Sequence, residues 1–513
     1  MNRRLVLLIV LSALVLVSAV GAGAYLLLRD GADEDPEATS AGAPADLERF
    51  YTQDVAWEDC GDDRCATIEV PVDYEEPDGE TTELRLRRVA STGDGGRVMF
   101  VNPGGPGGSA VDFAGRAATM LPDEVRDTFD IVGVDPRGVG ESSPIDCLED
   151  EEFDEYVSGP VIPDADDTAQ IEELREEMRA FGDGCREKSG RLAEHVSTAE
   201  AARDMDIARA LMGAEEMDWF GLSYGTQLGA TYATLFPERV GRMVLDGAVD
   251  PAEDGIESSL GQAKGFQKAL EAYAADCVQQ QECPVGDDPD AAIDQLVDFF
   301  GDLADRPLQT SFEGRELTQG HAFYGIAVTL YDKESWSALS QALEAGFQGN
   351  GTVLLALSDA YFSRQSDGSY DGNIGEVISV VSCLDERDRP SVEEAESLVG
   401  EFTAASPVFG PAMAWGTLAC TDLGFEATNP QVEIDADGAP PILVIGTTND
   451  PATPYENAGR LADQLGDDVG VLLTREGDGH TAYTSGNECI TGAVDAFFTE
   501  GTVPEDGLTC EPQ

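Results

Sequence analysis

The stretch Met217-Asp-Trp-Phe-Gly-Leu-Ser-Tyr-Gly225 decides the fold. Met217–Leu222 is a short apolar run that reads as a buried strand, and Ser223–Phe236 continues with helical spacing. At their junction Gly221-Leu222-Ser223-Tyr224-Gly225 has the form Gly-x-Ser-x-Gly, a strand–turn–helix elbow that presents a serine hydroxyl for nucleophilic attack. The small residues are needed because the turn is tight and its serine must point out of it. The helix N-terminus beside Ser223 favours negative charge at that spot. In a chain with 56 glycines the motif alone is weak, since it can arise by chance, and its place between a strand and a helix is what gives it weight.

The same alternation extends to both sides. Ala66–Tyr74 and Glu83–Ser91 read as β-runs, Arg97–Val101 as a buried strand ending in a glycine-rich loop, and Asp130–Asp135 as another strand. Thr198–Met212 has helical spacing, with Ser197 or Thr198 as its cap. Arg242–Asp246 is again a strand. Strands alternating with helices predict an α/β chain whose parallel sheet is covered on both faces. From about residue 251 to 435 the pattern is mostly helical. The rhythm returns with a strand at Pro441–Ile445, a helix at Tyr455–Leu465, a strand at Val469–Thr474 and a helix at Glu488–Thr499. Residues 48–250 and 436–513 are therefore expected to form one core, interrupted by a helical cap over 251–435. Residues 29–47 hold little to bury and read as a flexible linker.

A serine hydroxyl needs a base to become a nucleophile. The chain has three histidines: His195, His321 and His480. His480 follows the last strand, in Glu476-Gly-Asp-Gly-His480, where a parallel sheet places its functional loops. His195 precedes the helix before the elbow and His321 lies in the insertion; both read as structural. The base needs an orienting carboxylate. Asp450 supplies one in Thr448-Asn-Asp-Pro-Ala-Thr-Pro454, and the order Ser…Asp…His agrees with the elbow. Thr453 is placed to bond that carboxylate or to cap the next helix. Asp135 and Asp246 also end strands and rank behind Asp450; Asp478 is too near His480 in sequence. An oxyanion needs backbone donors. Tyr224, just after the serine, offers one, and Asn102-Pro-Gly-Gly-Pro-Gly-Gly108 offers the other, at Gly105 with Gly104 next. No Lys follows that loop, which sets aside a phosphate-binding reading.

Asp and Glu total 100 against 31 Lys and Arg, a formal net charge of −69. Such a field repels nucleic acid and anionic lipid, so no nucleic-acid partner is expected, and the acid excess reads as a solvated surface. The ten cysteines contain no Cys-x-x-Cys pair, which argues against zinc ribbons and thioredoxin-type sites. An even set suits disulfides in an exported chain. Joining sequence neighbours would pair Cys60 with Cys65, Cys147 with Cys185, Cys277 with Cys283, Cys383 with Cys420 and Cys489 with Cys510. The start agrees with export: Met1-Asn-Arg-Arg4 is basic, and residues 5–28 are uncharged and apolar. As a helix that run would span roughly 36 Å, enough to cross a bilayer. Two readings stay open, a signal cleaved near Ala22-Gly-Ala24 and a retained anchor.

The segments Asn102–Ser109, Asp135-Pro-Arg-Gly-Val-Gly-Glu-Ser142, Gly221–Asp250, Asp450-Pro-Ala-Thr-Pro-Tyr-Glu-Asn457 and Gly479-His480 together resemble the proline iminopeptidase-like serine exopeptidases, on the branch of the secreted tripeptidyl aminopeptidases. The resemblance covers nearly all of residues 50–510. It implies an α/β-hydrolase fold with a mostly parallel central sheet and an inserted helical cap. It also implies a triad of Ser223, Asp450 and His480, an oxyanion hole at Gly105 and Tyr224, and no metal or organic cofactor. Proline iminopeptidases carry His-Gly-Gly-Pro-Gly, where this chain has Pro103 in place of the histidine, which argues against strict proline iminopeptidase activity. An aminopeptidase must hold a charged amino terminus, and Cys383-Leu-Asp-Glu386 resembles a family segment near the active site, making Asp385 and Glu386 the candidates. The expected activity is release of di- or tripeptides from free N-termini of peptide substrates, outside the cell or at its surface. A carboxylesterase or lipase with the same triad is the alternative, followed by a non-catalytic cell-surface binding protein.

Overall fold

The computed structural model describes residues 36–512 apart from 37, 40–41, 94–95, 164–166, 281–282 and 428–431. The apolar run 5–28, expected to be a signal or an anchor, lies outside the described residues. Among the described residues no helix is long and apolar enough to cross a membrane.

Strands form where short apolar or alternating runs occur: β1 Glu58–Cys60, β2 Asp63–Pro71, β3 Thr81–Val89, β4 Arg97–Asn102, β5 Phe129–Val134, β6 Met217–Leu222, β7 Val240–Asp246, β8 Leu308–Gln309, β9 Glu316–Leu317, β10 Ile442–Asn449, β11 Gly470–Asp478 and β12 Leu508–Cys510. Ten of them make one sheet in the order β1-β2-β3-β5-β4-β6-β7-β10-β11-β12. β1, β2, β3 and β5 pair antiparallel in succession, and every pair from β5 to β12 is parallel. β6 is central and wholly buried, which is why it reads as a continuous apolar run rather than an alternating one.

Alternate residues of each strand serve the two faces. Phe100, Val132, Trp219, Leu245 and Val444 pack with Met205, Leu228 and Leu461 of the helices Thr198–Leu211, Tyr224–Leu235 and Tyr455–Leu465. Val101, Ile131, Phe220, Val244 and Leu443 pack on the other face with Phe113, Val125 and Val494 of Ala110–Met120, Asp123–Thr128 and Glu488–Glu500. This is the α/β-hydrolase arrangement.

Between β7 and β10 the described chain is helical except for the short hairpin β8–β9. Much of this insertion has its own hydrophobic cluster, including Phe266, Leu270, Leu296, Phe300, Leu343 and Phe409. The helix Ile374–Asp385 is different: Val377, Val380 and Leu384 join the sheet-side cluster, so it lies on the core. The ten cysteines form five disulfides, each between sequence neighbours: Cys60–Cys65, Cys147–Cys185, Cys277–Cys283, Cys383–Cys420 and Cys489–Cys510. The described end of the 29–47 segment departs from a free linker. Ala43 and Leu47 pack on the core, Thr39 N–H donates to the Ala210 carbonyl, and Arg239 donates to the Gly42 carbonyl, because even two apolar side chains and a few backbone bonds suffice to dock it.

Candidate active site

Ser223 sits at φ +54°, ψ −124°, a left-handed conformation that costs a non-glycine residue about 1–3 kcal/mol. The surroundings hold it there. Its N–H donates to the Asp246 carbonyl at 2.9 Å, and its own carbonyl accepts from Thr226 N–H at 2.8 Å and Thr226 Oγ1 at 2.6 Å. Strain at a serine between a buried strand and a helix is what an exposed nucleophile requires.

His480 and Asp450 meet across the ends of β11 and β10. His480 Nδ1 lies 2.9 Å from both carboxylate oxygens of Asp450. Asp450 is buried, and it accepts further bonds from the amides of Ala452, Thr453 and Thr481 at 3.0, 2.9 and 3.1 Å. These donors fix the orientation of the carboxylate toward His480. With Nδ1–H given to Asp450, Nε2 is left as the ring's acceptor. Burial pulls the His480 pKa down, but the charge of Asp450 and its hydrogen bond outweigh this and hold it above the usual value. Thr453 reaches Asp450 through its backbone; its hydroxyl lies 3.3 Å from His480 Nδ1, and it does not cap the following helix, whose N-cap is Pro454.

Among the described residues no hydrogen bond joins Ser223 Oγ to His480. The two stand on adjoining loops tied through Asp246. Its carbonyl holds Ser223, and its carboxylate accepts from the amides of Ala482 at 2.8 Å and Tyr483 at 2.8 Å, two and three residues after His480. Such pairs are often long without substrate and shorten in the complex. Burial pushes Asp246 up to about 6. Asp135 serves the glycine-rich loop instead, accepting from Ser109 Oγ, Val111 N–H and Glu141 N–H.

The loop after β4 lies against the elbow: a Cβ on Gly104 would come within 2.7 Å of the Leu222 carbonyl and 2.8 Å of Ser223 Cβ. Gly104, the second candidate for an oxyanion donor, gives its N–H to Asn102 Oδ1 at 2.9 Å. Among the described residues the amides of Gly105 and Tyr224 have no acceptor, which leaves both able to bind an anion.

Asp385 and Glu386, at the end of the helix Ile374–Asp385, line a chamber of about 70 Å³ with Pro106, Tyr224, Gln227 and Gly255. Asp385 is 7% exposed and internally satisfied. It accepts from Thr198 N–H at 3.0 Å, Thr198 Oγ1 at 2.6 Å and Gln227 Nε2 at 3.4 Å. Thr198 Oγ1 is also 2.7 Å from the Tyr224 hydroxyl. The Glu386 carboxylate has no hydrogen-bond donor among the described residues; its Oε2 lies 3.8 Å from Cys420 Sγ, a disulfide sulfur with no proton to give. Burial raises both acids to about 7. A larger cleft of about 920 Å³ includes neither Ser223 nor His480, and shares Asp250 and Glu253 with the small chamber.

His195 pairs with Glu200 at 2.8 Å, and His321 with Thr318 at 3.0 Å at the start of its own helix. The roles of Thr198 and Asp246 were not legible from spacing: Thr198 reads as a helix cap and Asp246 as a strand end.

A family model described as TAP-like protein matches residues 406–510. The serine protease Hip1 of Mycobacterium tuberculosis strain H37Rv is 38% identical over 87% of this chain and 87% of its own. Carboxylesterase B of the same strain is 35% identical over 94% of each chain. The tripeptidyl aminopeptidase of Streptomyces lividans is 30% identical over 94% of this chain and 91% of its own. Similarity of this degree along nearly the whole of each relative makes the chain a member of the TAP-like serine peptidase family, within the α/β-hydrolases.

Proposed function

We propose that this enzyme removes di- or tripeptides from the free amino termini of peptides outside the cell. Ser223 Oγ attacks the carbonyl while His480 Nε2 takes its proton, and Asp450 holds the imidazole and stabilises its charged form. The amides of Gly105 and Tyr224 bind the oxyanion. His480 then protonates the leaving amine, and a water activated by the same imidazole releases the peptide from Ser223.

The observation that carries the aminopeptidase reading is the acidic chamber beside Tyr224, with the Glu386 carboxylate lacking a donor. The carboxylate is half-buried with the charge of Arg389 nearby but no side-chain hydrogen bond, and a substrate ammonium supplies the bond it lacks. Asp385, already saturated, positions the chamber, and Glu386 takes the amine. The tripeptidyl aminopeptidase relative supports this choice. The relative named carboxylesterase B supports the second reading, an esterase with the same triad. Five disulfides support an oxidising, extracellular location. Residues 5–28 serve there as a cleaved signal or as an anchor.

The test is hydrolysis of tripeptide anilides with free and acetylated amino termini, beside Ser223→Ala. Cleavage of the free form only, lost in the variant, is expected. Equal cleavage of both forms would reject the requirement for a free amino terminus, activity on esters alone would leave an esterase, and unchanged turnover in the variant would reject the triad.

A further inference from the structure

His480 stands in a strained loop. Gly479 has φ +105° and Thr481 has φ +66°, and a left-handed β-branched residue is an outlier that only its surroundings can maintain. Four consecutive amides, from His480 to Tyr483, are each pinned by a specific acceptor. Three go to carboxylates of the core: Thr481 to Asp450, and Ala482 and Tyr483 to Asp246. The fourth goes to the insertion. His480 N–H donates to the Tyr331 carbonyl at 2.7 Å.

We propose that Tyr331, at the end of the insertion helix Gln319–Leu330, is a positioning residue for the histidine base, so that the insertion is part of the catalytic apparatus as well as a cover. This rests on His480 being the base. Tyr331 makes two contacts with the histidine: the carbonyl bond, and a ring edge-to-face with the imidazole at 5.2 Å and 88°. Gly479 permits the first, since a Cβ there would lie 3.1 Å from the Tyr331 oxygen. The tyrosine itself is rooted in the hydrophobic cluster of the insertion and packs on Phe266 at 6.0 Å. Lys333, two residues on, pairs with Asp478 at 2.9 Å and ties the same two strands of chain at the surface. The imidazole is thereby fixed by Asp450 at Nδ1, by Tyr331 at its backbone and by an aromatic wall at its side, which leaves Nε2 one direction to face.

Tyr331→Ala and Tyr331→Phe are compared on a free tripeptide anilide and on p-nitrophenyl acetate, with the rate of Ser223 labelling by a fluorophosphonate, all below the melting temperature of each variant. The ester and the probe report on His480 whether or not the enzyme requires a free amino terminus, so a failure here is separable from a failure of the aminopeptidase reading. Tyr331→Ala is expected to lower kcat and the labelling rate together by about 10–100-fold, with KM within about twofold. The low-field NMR signal of the proton between His480 and Asp450, identified by its loss in His480→Ala, should broaden. Tyr331→Phe, which keeps the ring, should stay within about threefold of the parent. A loss confined to KM for the peptide, with the ester and the probe unaffected, would make Tyr331 a pocket wall and overturn the proposal. A lower melting temperature with an unchanged labelling rate would overturn it as well. Should Tyr331→Ala not fold, Tyr331→Leu fills the space without an aromatic wall and is held to the same outcomes.

Discussion

Replacing Glu386 by glutamine should abolish the preference for free amino termini while leaving the acyl-transfer machinery intact. The size follows from the surroundings of the carboxylate. No donor of the described protein reaches it, so Glu386→Gln breaks no internal hydrogen bond and removes a charge whose burial is unfavourable. The fold should be as stable as the parent or slightly more so. The loss falls on the substrate: a charge-assisted bond to an ammonium contributes about 1.5–3 kcal/mol, or roughly 10–150-fold in kcat/KM. The assay is kcat/KM for one tripeptide anilide with free and acetylated termini, together with p-nitrophenyl acetate. The free peptide should lose the full factor, and the ester none. Acidity gives a second readout. Because Glu386 titrates at about 7, free-peptide cleavage should weaken as pH falls through that value. It should weaken again above about 8, where the substrate amine loses its proton. The ester should keep only the limb due to His480. Equal losses on peptide and ester, or no loss on either, would refute the assignment of Glu386.

Gly255 offers an independent perturbation of the same carboxylate. A Cβ there would fall 2.3 Å from Glu386 Oε2, while alanine is otherwise the better helix residue at that position. Gly255→Ala should therefore raise KM for free-amine peptides by about tenfold with a melting temperature equal to or above the parent's; an unchanged KM would count against the chamber. Stability should also depend on pH. Burial raises Asp246 to about 6 and Glu376, Asp385 and Glu386 to about 7. A carboxyl raised in the folded state contributes stability that is complete below its unfolded pKa near 4 and is lost as pH rises through its folded value. The melting temperature should thus rise from about pH 8 to about pH 5, in the same direction as relief of self-repulsion in a chain of net charge −69. A melting temperature that falls over that range would contradict the desolvation of these acids, two of them buried and two half-buried.

The elbow was legible because everything that makes it is local. An apolar hexapeptide, a tight turn and a helical continuation lie within one short stretch, and their periodicities are set by backbone geometry alone. The order of Ser223, Asp450 and His480 was legible for a related reason: each follows a strand end that hydrophobic runs mark. The same runs predicted the two-faced sheet and the long helical interruption. Tertiary structure alone decided the rest. Sequence ranked Gly105 ahead of Gly104 as a donor, but only the placement of the Asn102 side chain shows that the Gly104 amide is committed and the Gly105 amide is free. Asp385 and Glu386 are adjacent, yet one is saturated by Thr198, 187 residues away, and the other is left without a donor. Tyr331 carries no motif, and its bond to His480 exists because two distant segments close on each other. Spacing along a chain encodes which face a residue occupies, whereas the partner it meets there depends on how separate segments pack, and that information is shared among all of them.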